Sequence, residues 1–489
     1  MEAFQEVDTS VQTDREESSK ANSLAFTHNN LGGHVDAEPQ NDLLDGEGEG
    51  NCFPADQLLF SSHGLLYVNE AFEFVGLKTT CTNGETPVEF PFYNQYGEAE
   101  NTSNFTHNGR RKILRLTTRT GGTVKATANQ PLYSLNKYGW AVKKKMADIE
   151  CGDHLIIQRS FGADIGNPGI YPGDALYFFG VLIADAWLGR NSIRVCNDDP
   201  VVQEAIVKHG SELFGMQPRV YCRTGDTGSM AYHFNSKPKV GELYDRLGWQ
   251  PCVAIGKKLG RYIRALDKDG IAAVLRGYFD CECSISANGS IDVSSASWTL
   301  LHEVKAVLLL HFGIVGNLKH LKNAEYPDND YWILHIYGGE AESYVRQIGF
   351  RSEIRQERAK VCLGKPRNPN IDVIPNLGHF LTAIHEASET TREHVTLVRD
   401  YKGDEPRAEV TYQRLGLILS AKWSEGAALE RLREIHAANY YYDVVTKVEM
   451  LDSEPTFDFT MPDTHSLILS GFVARNSDDR VASASAEAA

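Results

Sequence analysis

The chain has 489 residues, 42% hydrophobic and 23% charged, and a formal net charge of -16. These values exclude a collagen, a coiled-coil rod and a wholly disordered chain, and the absence of about 18 uninterrupted apolar residues predicts no membrane span. Nine cysteines, without a CxxC pair and with only Cys281 and Cys283 close together, exclude a disulfide scaffold or zinc ribbon and predict a reducing, intracellular setting, cytoplasmic or nuclear rather than secreted.

Residues 1–51 carry twelve acids and two bases, a net of -10. They have few aromatics, end in DGEGEGN, lack the apolar core of a secretory leader, and read as a disordered flank. Residues 52–165 read as β: LLFSSHGLLYV, PVEFPFY, KILRLTT and HLIIQR are short apolar runs between Gly, Asn and Asp, and TGGTV signals a hairpin. Residues 170–365 switch to alternating helix and strand. Residues 366–435 form an accessory segment with a Pro- and Asn-rich start and a helical run, SEGAALERLREIHAA. Residues 436–476 return to β. The last thirteen residues, 477–489, are small and polar with a net of -2, which leaves -4 for residues 52–476. The acidic total therefore sits mostly in the flanks and does not argue against a DNA-binding body.

The central region repeats itself. DALYFFGVLIADAWLG and AAVLRGYFDCECSIS each open a stretch that reads helix, strand, helix, strand, strand, helix. The period of roughly 97 residues is far too long for a solenoid. Two copies of a small α/β unit predict a pseudo-dimer.

The two β segments at the ends of the body carry reactive residues at their limits. CFPADQLLFSSHGLLYV begins with Cys52, and HSLILSGFVARNS runs from His465 to Asn476 and Ser477. This pattern resembles an intein, the self-splicing element of the Hint family, over residues 52–476. The resemblance implies an all-β splicing domain formed by both ends and interrupted by an insert. It implies that Cys52 attacks the Asn51 carbonyl to give a thioester, that Ser477 takes over the acyl group, and that Asn476 cyclises to break its bond to Ser477. The chemistry suits the residues, because sulfur is intrinsically nucleophilic and an imidazole exchanges protons near neutrality. By the same resemblance His465 assists Asn476, Asp458 matches an acidic position near the Cys, and Thr127 matches the Thr of a family block that reads Thr-x-x-His, in TVKATANQPLYS. Two positions depart from the family pattern. Gln130 stands where a histidine is expected to polarise the peptide before Cys52, and Arg475 stands where a histidine precedes the terminal Asn. Neither replacement exchanges a proton near pH 7, so slowed splicing is expected.

FFGVLIADA (residues 178–186) and LRGYFDCEC (residues 275–283) resemble the paired motifs of LAGLIDADG homing endonucleases. The resemblance implies two helices crossing at Gly180 and Gly277, with Asp185 and Glu282 as catalytic acids that hold Mg²⁺ or Mn²⁺. Asp280 falls two residues early and reads as a helix-end acid. It also implies double-stranded DNA as partner, with a monomer docking its sheets in the major groove. Arg194, Arg219, Arg223, Lys257, Lys258, Arg261, Arg264, Lys319, His320 and Lys322 are the candidate contacts. The chain is thus expected to combine splicing of its own flanking segments with site-specific DNA cleavage. Three alternatives remain: an endonuclease with a decayed splicing domain, a cleavage-only Hint module, and a silent DNA-binding protein. Asn476-Ser477 with residues beyond it argues against the second, and acids at both 185 and 282 against the third. The β part is expected to fold without residues 170–430.

Overall fold

A β-strand buries only one face, so several short alternating strands must share sheets to make a core. The computed structural model describes residues 51–79, 84–222, 230–322, 330–364, 372–388, 392–398 and 409–476. The expectations for residues 1–50, for Arg223 and for 477–489, Ser477 included, lie outside these residues.

Strands from both ends of the body form one fourteen-stranded sheet system. Its spine is a long ribbon in which Asn104–Thr118 pairs antiparallel with Tyr441–Thr460. The hairpin expected at TGGTV joins Asn104–Thr118 to Thr123–Ala126. The chain's first strand, Phe53–Pro54, lies against Thr456 and Phe457. The hairpin of Ser466–Leu469 and Phe472–Arg475 closes the other end. The core between these strands is aromatic: Phe105 meets Phe459 edge to face at 4.5 Å between centroids, and Phe92 and Phe72 pack on Phe459 at 4.8 and 5.8 Å. Rings in such offset and edge contacts gain stabilisation beyond their buried area.

The insert has two copies of one unit. Helix Gly173–Asp185 runs into strands Ala186–Leu188 and Ser192–Asn197, helix Pro200–Phe214, strands Arg219–Cys222 and Met230–Asn235, and helix Lys237–Leu247. Helix Lys268–Glu282 repeats the order through Cys283–Ile285, Ile291–Ser295, Trp298–Phe312, Asn317–Leu321, Tyr331–Ile336 and Gly339–Gln347. Each unit thus has one more strand than its sequence pattern suggests. The extra strand has three residues and follows the motif helix directly, too short for alternation to register. Each copy builds a four-stranded antiparallel sheet in the same order. Among the described residues, the accessory segment contributes helices Gly378–Ala387, Arg392–Val398, Tyr412–Ser420 and Ala427–Ala438. Among the described residues, no helix is long and apolar enough to cross a membrane.

The insert is not merely tethered to the β part. Arg264, 1% exposed, reaches across to Glu70 at 2.6 Å, to the Leu65 carbonyl at 3.0 Å, and to Glu303 at 3.2 Å within the insert. Tyr67 of the β part donates to Glu303 at 3.1 Å. A second crossing joins Lys305 to the Thr120 hydroxyl at 2.9 Å, and Thr120 in turn donates to the fully buried Asp443. Taking one member from such a buried ionic group costs on the order of 3–5 kcal/mol. The expectation that the β part folds freely without residues 170–430 therefore meets a specific obstacle at Glu70 and Asp443.

Candidate functional site

Cys52 is fully buried at the head of the first strand. Its backbone N–H donates to the Thr127 hydroxyl at 3.2 Å, and its carbonyl accepts from the Thr127 N–H at 2.8 Å. Thr127 thus grips the residue from both sides. The Asn108 side-chain amide donates to the Cys52 sulfur at 3.0 Å. Burial pushes the thiol up to about 12, and the Asp458 carboxylate adds to the rise. The Asn108 amide, the Thr456 hydroxyl and Arg111 oppose it. Asp458 comes from the long ribbon, one residue from Phe457, which pairs with Phe53. The thiol is therefore protonated at neutral pH, and its nearest acidic neighbour is a carboxylate that could take its proton.

The other end of the chain enters the same sheet system. Ser466 pairs with Arg475, which makes His465 and Asn476 the next cross-strand neighbours. The Asn476 N–H donates to the His465 carbonyl at 2.7 Å. Asn476 is 2% exposed. His465 has φ 51°, the left-handed region that few side chains adopt. Its buried Nδ1 has no hydrogen-bond partner.

Gln130 differs from its expected place. Its backbone N–H is pinned to the Thr127 carbonyl at 3.1 Å. Its buried side chain turns to the opposite end, where Nε2 donates to the Arg475 carbonyl at 2.5 Å and to the Pro131 carbonyl at 3.2 Å. It therefore acts on the peptide that precedes Asn476, not on the one that precedes Cys52. The strand Phe472–Arg475 meets Pro131–Leu135 at Ala474 and Leu132, which brings that carbonyl within reach.

The second cluster lies where the two motif helices end. A Cβ on Gly180 would stand 2.0 Å from the Val274 carbonyl oxygen, and one on Gly277 would stand 2.0 Å from that of Tyr177. Only glycine allows this approach. Each helix stops at an extended residue, Ala186 or Cys283, which begins the next strand.

Asp185 and Glu282 are brought together at this crossing, close enough that the Asp185 charge raises Glu282. Burial and the Asp185 charge push Glu282 up to about 7, while Lys257 pulls it down. Burial raises Asp185 too, against hydrogen bonds from Asn197, at 2.6 Å, and Cys281. Asp280 is indeed a helix-end acid with structural partners: it accepts from the Tyr177 hydroxyl at 2.8 Å and from the Arg351 and Ser352 N–H groups at 2.9 and 3.2 Å. Among the described residues no group of three or more His, Cys, Asp or Glu could hold a metal. The donor set nevertheless fits a hard divalent cation shared with phosphate oxygens. Two half-buried carboxylates whose charges oppose each other leave negative charge for such an ion to neutralise.

The basic candidates divide by position. Trp187, Arg194, His233 and Arg219 form one row across the first sheet. Arg194 and Arg219 are exposed, and the Arg194 guanidinium lies 5.6 Å from the centre of the half-exposed Trp187 ring. Lys319 and Lys322 are exposed on the second unit, and His320 pairs with Asp330 at 2.7 Å. Lys258 is half-buried. Three candidates face elsewhere. Lys257 donates to the Ala184 carbonyl at 2.5 Å and feels the charges of Glu282 and Asp185. Arg261 lies over Phe74 and 3.9 Å from Glu73 of the β part. Arg264 is buried in the cluster with Glu70 and Glu303. The sequence placed all three among the candidate DNA contacts because KKLGRYIR, residues 257–264, reads as one basic run. The short turn and helix there send successive side chains in different directions. Asn108 and Asn197 carried no sequence signal that could have found them.

Residues 269–349 match the model of the LAGLIDADG-like domain. Over 264 residues the chain is 26% identical to the replication factor C small subunit of Methanocaldococcus jannaschii, covering 54% of this chain and 14% of that protein. It is 24% identical to elongation factor 2 of Methanopyrus kandleri over 62% of this chain and 23% of that one. It is also 24% identical to the replicative DNA helicase DnaB of Rhodothermus marinus over 76% and 40%. The chain thus spans well under half the length of these relatives. Among solved structures, I-DmoI in complex with DNA and Mn matches 36% of this chain and 96% of its own, at 14% identity and a TM-score of 0.28. The TvoVMA intein matches 22% and 71%, at 12% identity and a TM-score of 0.20. Scores this low carry no weight for this chain's architecture.

Proposed function

We propose that the chain is a splicing element that houses a LAGLIDADG endonuclease. One observation carries the proposal: Cys52 and the pair His465–Asn476, from opposite ends of the body, lie in one sheet system with Thr127 and Asp458 beside the first and Gln130 reaching the second. The relatives support it from another side. A replication factor, an elongation factor and a helicase have little in common as machines, so what one chain shares with all three reads as an inserted element.

In this reading Thr127 fixes the Cys52 peptide, and Asp458 accepts the thiol proton. The sulfur adds to the Asn51 carbonyl, the Asn51–Cys52 bond breaks, and the Cys52 amine leaves. The Ser477 hydroxyl then takes the acyl group and the sulfur leaves. The Asn476 side-chain nitrogen closes on its own carbonyl, the Asn476–Ser477 bond breaks, and Gln130 holds the Arg475 carbonyl while His465 moves the proton. An acyl shift from oxygen to nitrogen joins residues 1–51 to 477–489. At the helix crossing, Asp185 and Glu282 would hold a divalent cation, which would act as Lewis acid on the scissile phosphate. Lys257 stands ready to stabilise charge there, and Arg194, Arg219, Lys258, Lys319 and Lys322 contact DNA.

The test is expression of the whole chain followed by intact-mass measurement with and without added thiol. Splicing yields residues 52–476 and the joined flanks. Thiol intercepts the thioester and releases residues 1–51, and Cys52→Ala abolishes that release while leaving cleavage after Asn476. A second reading, an endonuclease with a decayed splicing part, is favoured by the thiol raised to about 12. A precursor that stays intact with thiol up to pH 9 selects it.

A further inference from the structure

The His465 ring has a buried Nδ1 that no group holds, so its aim depends on the backbone turn that carries it. That turn runs from Met461 to His465, whose N–H donates to the Met461 carbonyl at 3.2 Å. It ends with His465 in the left-handed region, a conformation that costs an ordinary side chain on the order of 1 kcal/mol or more and persists only where surroundings impose it. What imposes it here is Glu100. This carboxylate, 8% exposed on the short edge strand Ala99–Asn101, accepts from the Asp463 N–H at 3.0 Å and the Thr464 N–H at 3.2 Å. It also accepts from the Thr464 hydroxyl at 2.6 Å and from the Asn94 side-chain amide at 3.3 Å. The Thr464 proton is spent on Glu100, so in the 2.9 Å contact between Thr464 and Ser466 the Ser466 hydroxyl donates. Ser466 itself accepts from the Gln95 N–H at 2.9 Å. Both residues flanking His465 are thus fixed, and one carboxylate gathers most of the bonds.

We infer that Glu100 is the positioning residue for His465, and that it governs cleavage at Asn476 while leaving the Cys52 step untouched. The inference rests on the splicing reading above. Charge-assisted bonds to backbone N–H groups are roughly twice as strong as neutral ones, so a carboxylate suits a turn that must hold a strained residue. The first step has its own grip, Thr127 and Asn108 on Cys52.

The experiment uses the full chain and two rates read by intact mass: release of residues 477–489 after Asn476, and thiol-induced release of residues 1–51. Glu100→Gln keeps the shape but halves the acceptors. It should slow release after Asn476 by roughly 10- to 100-fold, at or below the lower limit of what a general acid or base contributes because His465 itself remains, and leave thiol-induced release within about twofold. Thr464→Val, which removes one donor and keeps the carboxylate, should slow the same release by a smaller factor. The pH profile of the residual rate should keep its shape, because the proton carrier is still His465. Equal losses in both rates for Glu100→Gln would make its role general stability and overturn the inference. So would an unchanged rate after Asn476 in a chain where His465→Ala abolishes it. If His465→Ala leaves that rate unchanged, the splicing reading itself fails.

Discussion

The two copies of the insert's repeat agree where backbones meet and part where side chains face out. At the crossing, Gly180 and Gly277 are interchangeable: each leaves 2.0 Å between an added Cβ and a carbonyl of the facing helix. Two residues beyond Asp185 stands Trp187, and its row continues through Arg194, His233 and Arg219. Two residues beyond Glu282 stands Ser284, and its row continues through Asp292, His335 and Asn317. One copy presents two guanidiniums and an indole. The other presents a carboxylate tied to an imidazole at 2.7 Å. Packing constrains what it touches and leaves the rest free to diverge, so the outer rows are where the two halves differ.

The largest break in that comparison should come at the acids. Glu282→Gln and Asp185→Asn should each lower cleavage of a mapped target by 10² or more, roughly the contribution of one positioned electrostatic group, with binding largely retained because phosphate contacts supply most affinity. Unequal losses would rank the halves; wild-type cleavage by either variant would remove that acid from the site.

The glycines probe the shared part. Gly180→Ala and Gly277→Ala should each destabilise the fold by about 3 kcal/mol, since neither facing backbone can yield 1 Å without separating the helices. Chemical denaturation of the two variants measures it, and similar values are expected for both.

The outer rows probe the divergent part. Arg194→Ala should weaken binding about tenfold and reduce the salt slope by about one. Asp292→Asn should strengthen binding slightly and act in the opposite direction. Titration of labelled duplex at two salt concentrations reads both. If the two changes have the same sign, the rows do not face DNA in the same way.

The smallest effect concerns pH. Glu282 sits at about 7 in the fold against an ordinary 4.5. A raised acid destabilises the folded state when ionised, so stability is gained as pH falls from 7 toward 4.5. Glu282→Gln should therefore be more stable than the parent at pH 8, on the order of 1 kcal/mol, with the advantage gone near pH 5. Cleavage at limiting Mg²⁺ should fall over the same range, because the protonated acid cannot hold the cation.

The positions of Cys52, His465, Asn476, Asp185 and Glu282 were legible beforehand for a physical reason: residue types able to attack, cyclise or hold a cation stand there at the ends of segments where pattern changes. Lys257 was legible as a charge but not as a neighbour of the acids, since its place depends on how a turn between the repeats folds onto Ala184. Gln130 was legible as a substitution, yet its direction was set by the approach of Phe472–Arg475. Glu100 left no trace at all. A single glutamate in a three-residue edge strand is ordinary until the turn it collects is seen.

The cluster of Arg264, Glu70, Glu303 and Tyr67 bears on how such an element changes over time. Cutting out the insert would leave Glu70 without Arg264, so deletion carries a penalty that a point change does not. If the proposed nuclease reading holds, its loss proceeds most easily by substitution at Asp185 or Glu282, with the scaffold kept as an idle buttress. An engineer who wants the β part alone faces the same asymmetry: without the insert Glu70 loses Arg264 and the Thr120–Asp443 pair loses Lys305, so both places call for neutral replacements.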